Sequence, residues 1–271
     1  MTSSARLVDG YDLVILDLDG VVFLIDKPIS GAAEAVEQIR AVGVPVIFAT
    51  NNASRRAREA ADLLSGMGVP ARAEEVFTSA SAAARLLAER FEPGARILVV
   101  GADALREEVA DAGLSVVARA HDAPAAVVQG YGPRVGWPEL AEATLAIRAG
   151  ALWMATNMDR TLPSPRGALP GNGSLVAAVA TALGRQPDLV VGKPSPGLFQ
   201  AAAAGYARPL VVGDRLDTDI AGAHRAGMDS LLVLTGVSSR ADVDAAPADQ
   251  RPTYVAPDLS GLFAGPEYAA R

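Results

Sequence analysis

The sequence predicts an α/β protein: a doubly wound parallel sheet with a second α/β domain inserted into it. Three observations carry this. Short β-branched runs alternate with alanine-rich helical patterns over nearly all of the 271 residues, which is the mark of βαβ units. The strand segments are apolar throughout instead of alternating, as happens when helices cover both faces of a sheet. About 140 residues separate Asn52 from Lys193, far more than the handful that joins successive units of one sheet.

Taken in order, β-branched runs place strands at 13–18, 44–50, 96–101, 125–129, 152–155, 210–213 and 230–234. Amphipathic stretches between them place helices at 32–42, 54–67, 79–90, 105–112, 137–149, 174–183, 196–204 and 217–226. Glycine and proline are densest at 130–138 and 163–173, which marks these loops as functional candidates. No internal repeat or low-complexity segment interrupts the pattern. The long interval then divides the chain into a core at 1–78 and 188–271, with an inserted domain at 79–187.

Composition removes several readings. There is no cysteine, so a disulfide scaffold, a thiolate zinc site and a cysteine nucleophile are excluded. Thirty-one acids against 24 bases give a net charge of −7, and no Lys/Arg run concentrates the bases. Nucleic acid and anionic membranes are therefore not expected as partners. A mean hydropathy of +0.24 raises the question of a spanning helix. The longest uncharged stretch, 167–184, opens as a turn and a helix start, leaving an apolar run of only 175–183, too short to span. The first residues carry no apolar signal region, and the expectation is a cytoplasmic protein.

Four segments carry chemistry. In Leu13-Val-Ile-Leu-Asp17-Leu-Asp19-Gly20 an apolar strand runs into two aspartates, which share a face if the strand continues through them. Paired carboxylates without a basic neighbour make a cation site or a pair with one raised pKa; two solvated loop acids are the bland alternative. In Val46-Ile-Phe-Ala-Thr50-Asn51-Asn52 a strand stops at small polar residues, and Ser54 has the chemistry of a helix N-cap, so the segment reads as an anion cradle or a plain turn. In Val191-Gly-Lys193-Pro194 a single lysine can offer a point charge to a phosphate or sit in a surface loop. In Leu210-Val-Val-Gly213-Asp214 a third strand ends in an acid, followed by Asp217 as a candidate N-cap and Asp219 near the positive end of the next helix.

The four together, with Thr156-Asn157-Met158-Asp159, Gly171-Asn172-Gly173-Ser174 and the continuation of the fourth to Ile220, resemble the haloacid dehalogenase (HAD) superfamily of Mg²⁺-dependent phosphohydrolases, in its NagD-like branch. The likeness runs from Tyr11 to about Ser238, and the stretches 128–137 and 169–174 are most like actinobacterial glycerol-3-phosphate phosphatases. It implies a Rossmann-like HAD core and a large inserted α/β cap of the C2 type; the short stretch 21–28 leaves no room for the other cap type.

The resemblance further implies that Asp17 is the nucleophile, forming an aspartyl-phosphate, and Asp19 the general acid and then base. Asp17, the Asp19 main-chain carbonyl and Asp214 would hold Mg²⁺, with Asp219 behind them or capping its helix. Thr50, Asn51, Asn52 and Lys193 would bind phosphate. The cap would limit the leaving group through a specificity loop that includes Asn157, Asp159, Arg160 and Leu162. Leucine at 162, where relatives acting on pyridoxal phosphate carry histidine, leans toward small aliphatic phosphates such as glycerol 3-phosphate or phosphoglycolate. The expected partners are a small phosphorylated metabolite and a second copy bound through the cap. Loop 130–137 is a weaker specificity candidate.

Other signals have simpler readings. Gly171-Asn-Gly-Ser lacks the third glycine and the preceding strand of a dinucleotide fingerprint, and reads as a helix start. His121 and His224 stand alone, and Arg55-Arg56-Ala-Arg58 is a solvated basic face or a phosphate-attracting rim. Competing functions are a broad-specificity phosphatase of the same family, a metal-dependent glycosyltransferase built on Asp-x-Asp, and a non-catalytic protein on a phosphatase scaffold. A glycosyltransferase has no need of Thr50, Lys193 or Asp214 at strand ends, and non-catalytic relatives usually lose a motif residue; none is missing here.

Overall fold

The computed structural model of the protein describes residues 6–25 and 27–265. In chain order its elements open with β1 (Leu13–Leu16), the short pair β2 (Phe23–Leu24) and β3 (Lys27–Pro28), α1 (Ala32–Ala41), β4 (Val46–Thr50), α2 (Ala57–Gly66) and β5 (Val76–Thr78). Next come α3 (Ser79–Arg90), β6 (Arg96–Val100), α4 (Asp103–Asp111), β7 (Ser115–Val117), β8 (Ala126–Gln129), α5 (Trp137–Arg148) and β9 (Leu152–Ala155). The hairpin β10 (Thr161–Leu162) and β11 (Leu169–Pro170) precedes α6 (Asn172–Leu183) and β12 (Leu189–Val190). The chain closes with α7 (Gly197–Ala202), β13 (Pro209–Gly213), α8 (Ala221–Ala226), β14 (Asp229–Val233), α9 (Arg240–Ala245) and β15 (Tyr254–Ala256).

These elements form two compact units. One is built from Met1–Thr50, Ala60–Phe77 and Lys193–Arg271, the other from Asn51–Glu59 and Thr78–Gly192. The first holds a six-stranded sheet in the order β15-β14-β13-β1-β4-β5. The ladders β13–β1, β1–β4, β13–β14 and β14–β15 are all parallel. From β1 the chain builds outward on one side through β4 and β5, and on the other through β13 to β15. The order therefore reverses beside β1, and in open α/β sheets ligands bind at the carboxyl ends of the strands at that switch point. β1 is buried at every position, as its uninterrupted Leu-Val-Ile-Leu requires.

The second unit has a five-stranded sheet, β12-β9-β8-β6-β7, again with parallel ladders. Alternation along β6 sorts its side chains between two cores. Ile97 and Val99 pack with Ala80, Ala83 and Leu87 of α3 and Leu105 and Val109 of α4. Leu98 and Val100 pack with Ala146 and Ile147 of α5 and Val176 and Val179 of α6. Small alanines on the helices let them lie close against the β-branched sheet surface. Among the described residues no helix is long and apolar enough to cross a membrane.

Three local expectations need correction. β1 stops at Leu16, so no strand runs through Asp17 and Asp19, and strand alternation does not place them on one face. Ser54 is not the N-cap of α2, which begins at Ala57; its N–H and hydroxyl both donate to Asn52 Oδ1, at 2.8 and 2.7 Å, closing a tight Asx-type turn instead. Asp217 does not cap either, because residues 216–220 form one π-helical turn behind Arg215, and Asp217 pairs with the Arg215 guanidinium at 3.0 Å. The strands β5, β7, β12 and β15, of two or three residues each, were not expected from the sequence.

Candidate active site

Two neighbouring strand ends of the first unit supply the acids. The Asp17 N–H donates to the Val212 carbonyl at 2.9 Å, continuing the β1–β13 ladder one residue past the strand and placing Asp17 beside the end of β13. Asp214 follows that end directly, and Thr50 is the last residue of β4 on the other side of β1. Asp17, Thr50 and Asp214 are all buried. The π-helical turn after Arg215 brings a further acid inward: Asp219 is wholly buried and accepts the Arg215 N–H at 3.2 Å. Carboxylate oxygens of Asp17, Asp214 and Asp219 lie within 4.8 Å of one another.

Lys193 enters this cluster as its cation. Its ammonium lies 2.5 Å from Asp17 Oδ1 and 2.7 Å from Asp219 Oδ1, and donates to the Ala49 carbonyl at 3.2 Å. The two acids hold its pKa above the ordinary lysine value even though burial pulls the other way. One lysine does not balance the acids. Burial pushes the Asp17 carboxyl well above the usual range, and Asp219, Asp214 and Asp19 add to this, outweighing Lys193. Burial, then repulsion from Asp219, pushes Asp214 up to about 7. Asp19 is only half-buried, and it reaches Asp17 through charge and not through a shared strand face.

A hard divalent cation is what this arrangement lacks electrically. Asp214 Oδ2 accepts the Val237 N–H at 2.7 Å, while its Oδ1 is buried with no hydrogen-bond partner among the described residues. An orphaned carboxylate oxygen is costly, and a cation removes that cost together with the mutual repulsion. Oxygen-only donors of this kind suit Mg²⁺ or Ca²⁺ over softer metals.

The remaining expected residues belong to the second unit. The Asn51 carboxamide is buried and donates to both Asp159 oxygens, at 3.1 and 3.3 Å. The Asn51 main-chain carbonyl accepts from Ser79 Oγ at 2.6 Å and from Asn157 Nδ2 at 2.7 Å. Asn157 Oδ1 in turn accepts the Asp159 N–H at 3.1 Å, so 51, 157 and 159 form one connected set. The Asn52 side-chain oxygen is engaged by Ser54. Arg160 is exposed and lines a cavity of about 430 Å³ with Met158, Thr181 and Arg185, while Leu162 pairs with Leu169 in the β10–β11 hairpin. Of the basic run, Arg56 is taken by Glu107, Glu108 and Asp111, which makes it a structural clamp.

A model of the haloacid dehalogenase-like hydrolases matches residues 14–115, and a HAD-hydrolase-like model matches 190–262. The chain is 53% identical over 258 residues to the D-glycerol 3-phosphate phosphatase of Mycobacterium tuberculosis, covering 94% of this chain and 72% of that protein. It belongs to the haloacid dehalogenase-like hydrolases. Among solved HAD structures, the glycerol phosphate phosphatase of M. tuberculosis in complex with magnesium superimposes with a TM-score of 0.95 at 50% identity, over 98% of this chain and 80% of that one. The p-nitrophenyl phosphatase of Archaeoglobus fulgidus matches with a TM-score of 0.85 at 32% identity, over 93% and 98% of the two chains.

Two features, one in each unit, were not found by sequence reasoning. Ser79 and Asn172 hold the backbone of the Asn51–Asn157 set, Asn172 Nδ2 donating to the Asn157 carbonyl at 2.8 Å. The turn after β14 reaches Asp214 through Val237. The available signal for the second was another apolar strand ending in small residues, Thr235-Gly236, of the same kind as the strand ends at Asp17, Thr50 and Asp214.

Proposed function

We propose that the protein is a Mg²⁺-dependent phosphomonoester hydrolase acting on small phosphorylated metabolites, glycerol 3-phosphate or a phosphoglycolate-like compound, through an aspartyl-phosphate on Asp17. The observation that carries this is the buried set of Asp17, Asp214 and Asp219 around Lys193 at adjacent strand ends. Asp17, Asp214 and the Asp19 main-chain carbonyl are the proposed holders of Mg²⁺, and Asp219 contributes from behind through Lys193. The bound dication lessens the repulsion among the acids, keeps Asp17 ionised and offsets phosphate charge.

The chain's own groups then do the chemistry. An Asp17 carboxylate oxygen attacks phosphorus, and the bond from phosphorus to the substrate oxygen breaks. Asp19 as the acid gives its proton to the departing alkoxide. Asp19, now a carboxylate, takes a proton from water as that water attacks the phosphorus, and the Asp17–phosphorus bond breaks to release inorganic phosphate. Covalent capture divides one difficult displacement into two easier ones. Thr50, Asn51, Asn52 and Lys193 are the proposed phosphate-binding groups.

In this reading 79–187 is a cap of the C2 type between core segments 1–78 and 188–271, supported by the separate compactness of Thr78–Gly192. Asn157, Asp159, Arg160 and Leu162 select the leaving group. The glycerol 3-phosphate assignment is supported by the mycobacterial relative, and a cytoplasmic location belongs to the same reading. A homodimer through the cap belongs to the same reading, supported by the exposed Trp137 and Leu145 of α5.

The test is steady-state hydrolysis of p-nitrophenyl phosphate with and without Mg²⁺, beside Asp17→Asn, followed by a panel of glycerol 3-phosphate, phosphoglycolate, pyridoxal phosphate and nucleoside monophosphates. Metal-dependent release that disappears in Asp17→Asn is expected. Release that persists in that variant sinks the mechanism, and a preference for pyridoxal phosphate sinks the substrate class.

A further inference from the structure

The turn after β14, Thr235-Gly236-Val237-Ser238, carries none of the proposed catalytic, phosphate-binding or metal-holding residues, yet it touches two loops of the acidic cluster. Thr235 Oγ1 donates to the Gly20 carbonyl at 2.6 Å. Two residues on, the Val237 N–H donates to Asp214 Oδ2 at 2.7 Å, and the Ser238 N–H donates to the Asp214 main-chain carbonyl at 3.1 Å.

Each contact restricts a group proposed above to hold the cation. The Gly20 N–H donates to the Phe23 carbonyl at 2.7 Å, and because the peptide is planar and trans this sends the Asp19 carbonyl the opposite way. Thr235 fixes the next peptide plane through its oxygen, so both planes flanking Gly20 are set. Asp214 has one carboxylate oxygen tied down by Val237, and only Oδ1 is left without a hydrogen bond.

The glycines make this close approach possible. Gly20 has φ +85°, and a Cβ there would come within 2.6 Å of the Asp214 carboxyl carbon. A Cβ on Gly236 would come within 2.7 Å of Asp214 Cβ. The Asp214 side chain is thus packed between two bare backbones that Thr235 ties together.

We propose that the 235–238 turn is a positioning device for the cation site: Thr235 orients the Gly20 loop that carries Asp19, and Gly236 with Val237 aims the open oxygen of Asp214. This rests on the divalent-cation reading above, and the experiment separates the two. Mn²⁺ binding to the full-length protein, prepared without metal, is titrated by electron paramagnetic resonance for wild type, Thr235→Val, Thr235→Ser and Gly236→Ala. The metal-free Tm of each is measured alongside.

Thr235→Val, nearly isosteric but without the hydroxyl, is expected to bind Mn²⁺ about tenfold more weakly, the scale of a lost partly buried hydrogen bond. Thr235→Ser should stay within about twofold of wild type, and Gly236→Ala should lose more than Thr235→Val. In turnover of p-nitrophenyl phosphate at fixed metal, kcat should fall in Thr235→Val while KM holds. Wild-type protein that binds no Mn²⁺ overturns the cation reading and this inference with it. Wild-type binding that is unchanged in Thr235→Val, or lost equally in Thr235→Ser, overturns this inference alone. If Thr235→Val does not fold, the same comparison is made between Thr235→Ser and Thr235→Ala.

Discussion

The Lys193 ammonium is ion-paired with Asp219 at 2.7 Å, and Asp219 is wholly buried five residues beyond Asp214. A residue whose position near a helix start suggested a capping role thus faces the lysine that also holds Asp17. Removing the cation from such a cluster leaves buried acids uncompensated. Lys193→Met should lower the stability of the metal-free protein by about 3 kcal/mol in urea unfolding and reduce kcat at least a hundredfold. Asp219→Asn keeps the shape and removes one of the repelling charges, so its stability cost should be smaller than that of Lys193→Met. If Asp219→Asn were the more damaging of the two, the ion pair would not be the dominant interaction.

Asp19 is the half-buried acid of the site, and its proposed work is proton transfer to the leaving group. General acid catalysis of this kind contributes about 10²–10⁴-fold, most where the leaving oxygen is a poor one. Asp19→Asn should therefore slow glycerol 3-phosphate hydrolysis far more than p-nitrophenyl phosphate hydrolysis, since nitrophenolate leaves without a proton. Equal losses on the two substrates would contradict the role.

The acids should make metal binding pH-dependent. The folded Asp214 carboxyl, pushed up to about 7, keeps a proton that the unfolded chain releases near its ordinary value of 3.8. The stability contributed by that proton is complete below the unfolded value and is lost as pH rises through about 7. Asp17 shifts in the same direction, for the same reason of burial among acids. A dication must displace these protons, so its affinity rises over the same range. The gain in Tm on adding Mg²⁺ should be larger at about pH 8 than at about pH 5.5. A constant gain would show that the acids are already ionised without metal.

Asn51 is held by Asp159, Ser79 and Asn157. Asp159→Ala removes one anchor of the Asn51 carboxamide, and the expected result is a KM for phosphate substrates raised about tenfold, the scale of a lost hydrogen bond to a charged group. Arg56→Ala removes partly exposed ion pairs and should leave KM unchanged, while costing about 1 kcal/mol or less in stability. A raised KM in Arg56→Ala would revive the basic run as an anion rim.

Much of this was legible along the chain. The apolar runs that became β1, β4, β6, β8, β9, β13 and β14 announced themselves because strands buried on both faces need continuous apolar sequence. Asp17, Thr50 and Asp214 were legible for a related reason: a polar residue just past such a run falls at the carboxyl edge of a parallel sheet, where ligands bind. Lys193 stood out only as a single lysine between an apolar run and a proline. The strands of two or three residues escaped notice because so short a segment is decided by its neighbour in the sheet and not by its own pattern.

The sequence alone thus determined the fold class, its long strands, and which strand ends carry polar residues. It could do so because burial writes its period and its interruptions into the order of residues. Only the tertiary structure decided how those groups are oriented. It ended β1 before Asp17 and turned Asp219 onto Lys193. It also brought Thr235 and Val237, more than 200 residues beyond Gly20, against Gly20 and Asp214. Such contacts depend on peptide planes and on the room left by bare glycines, which no local periodicity records.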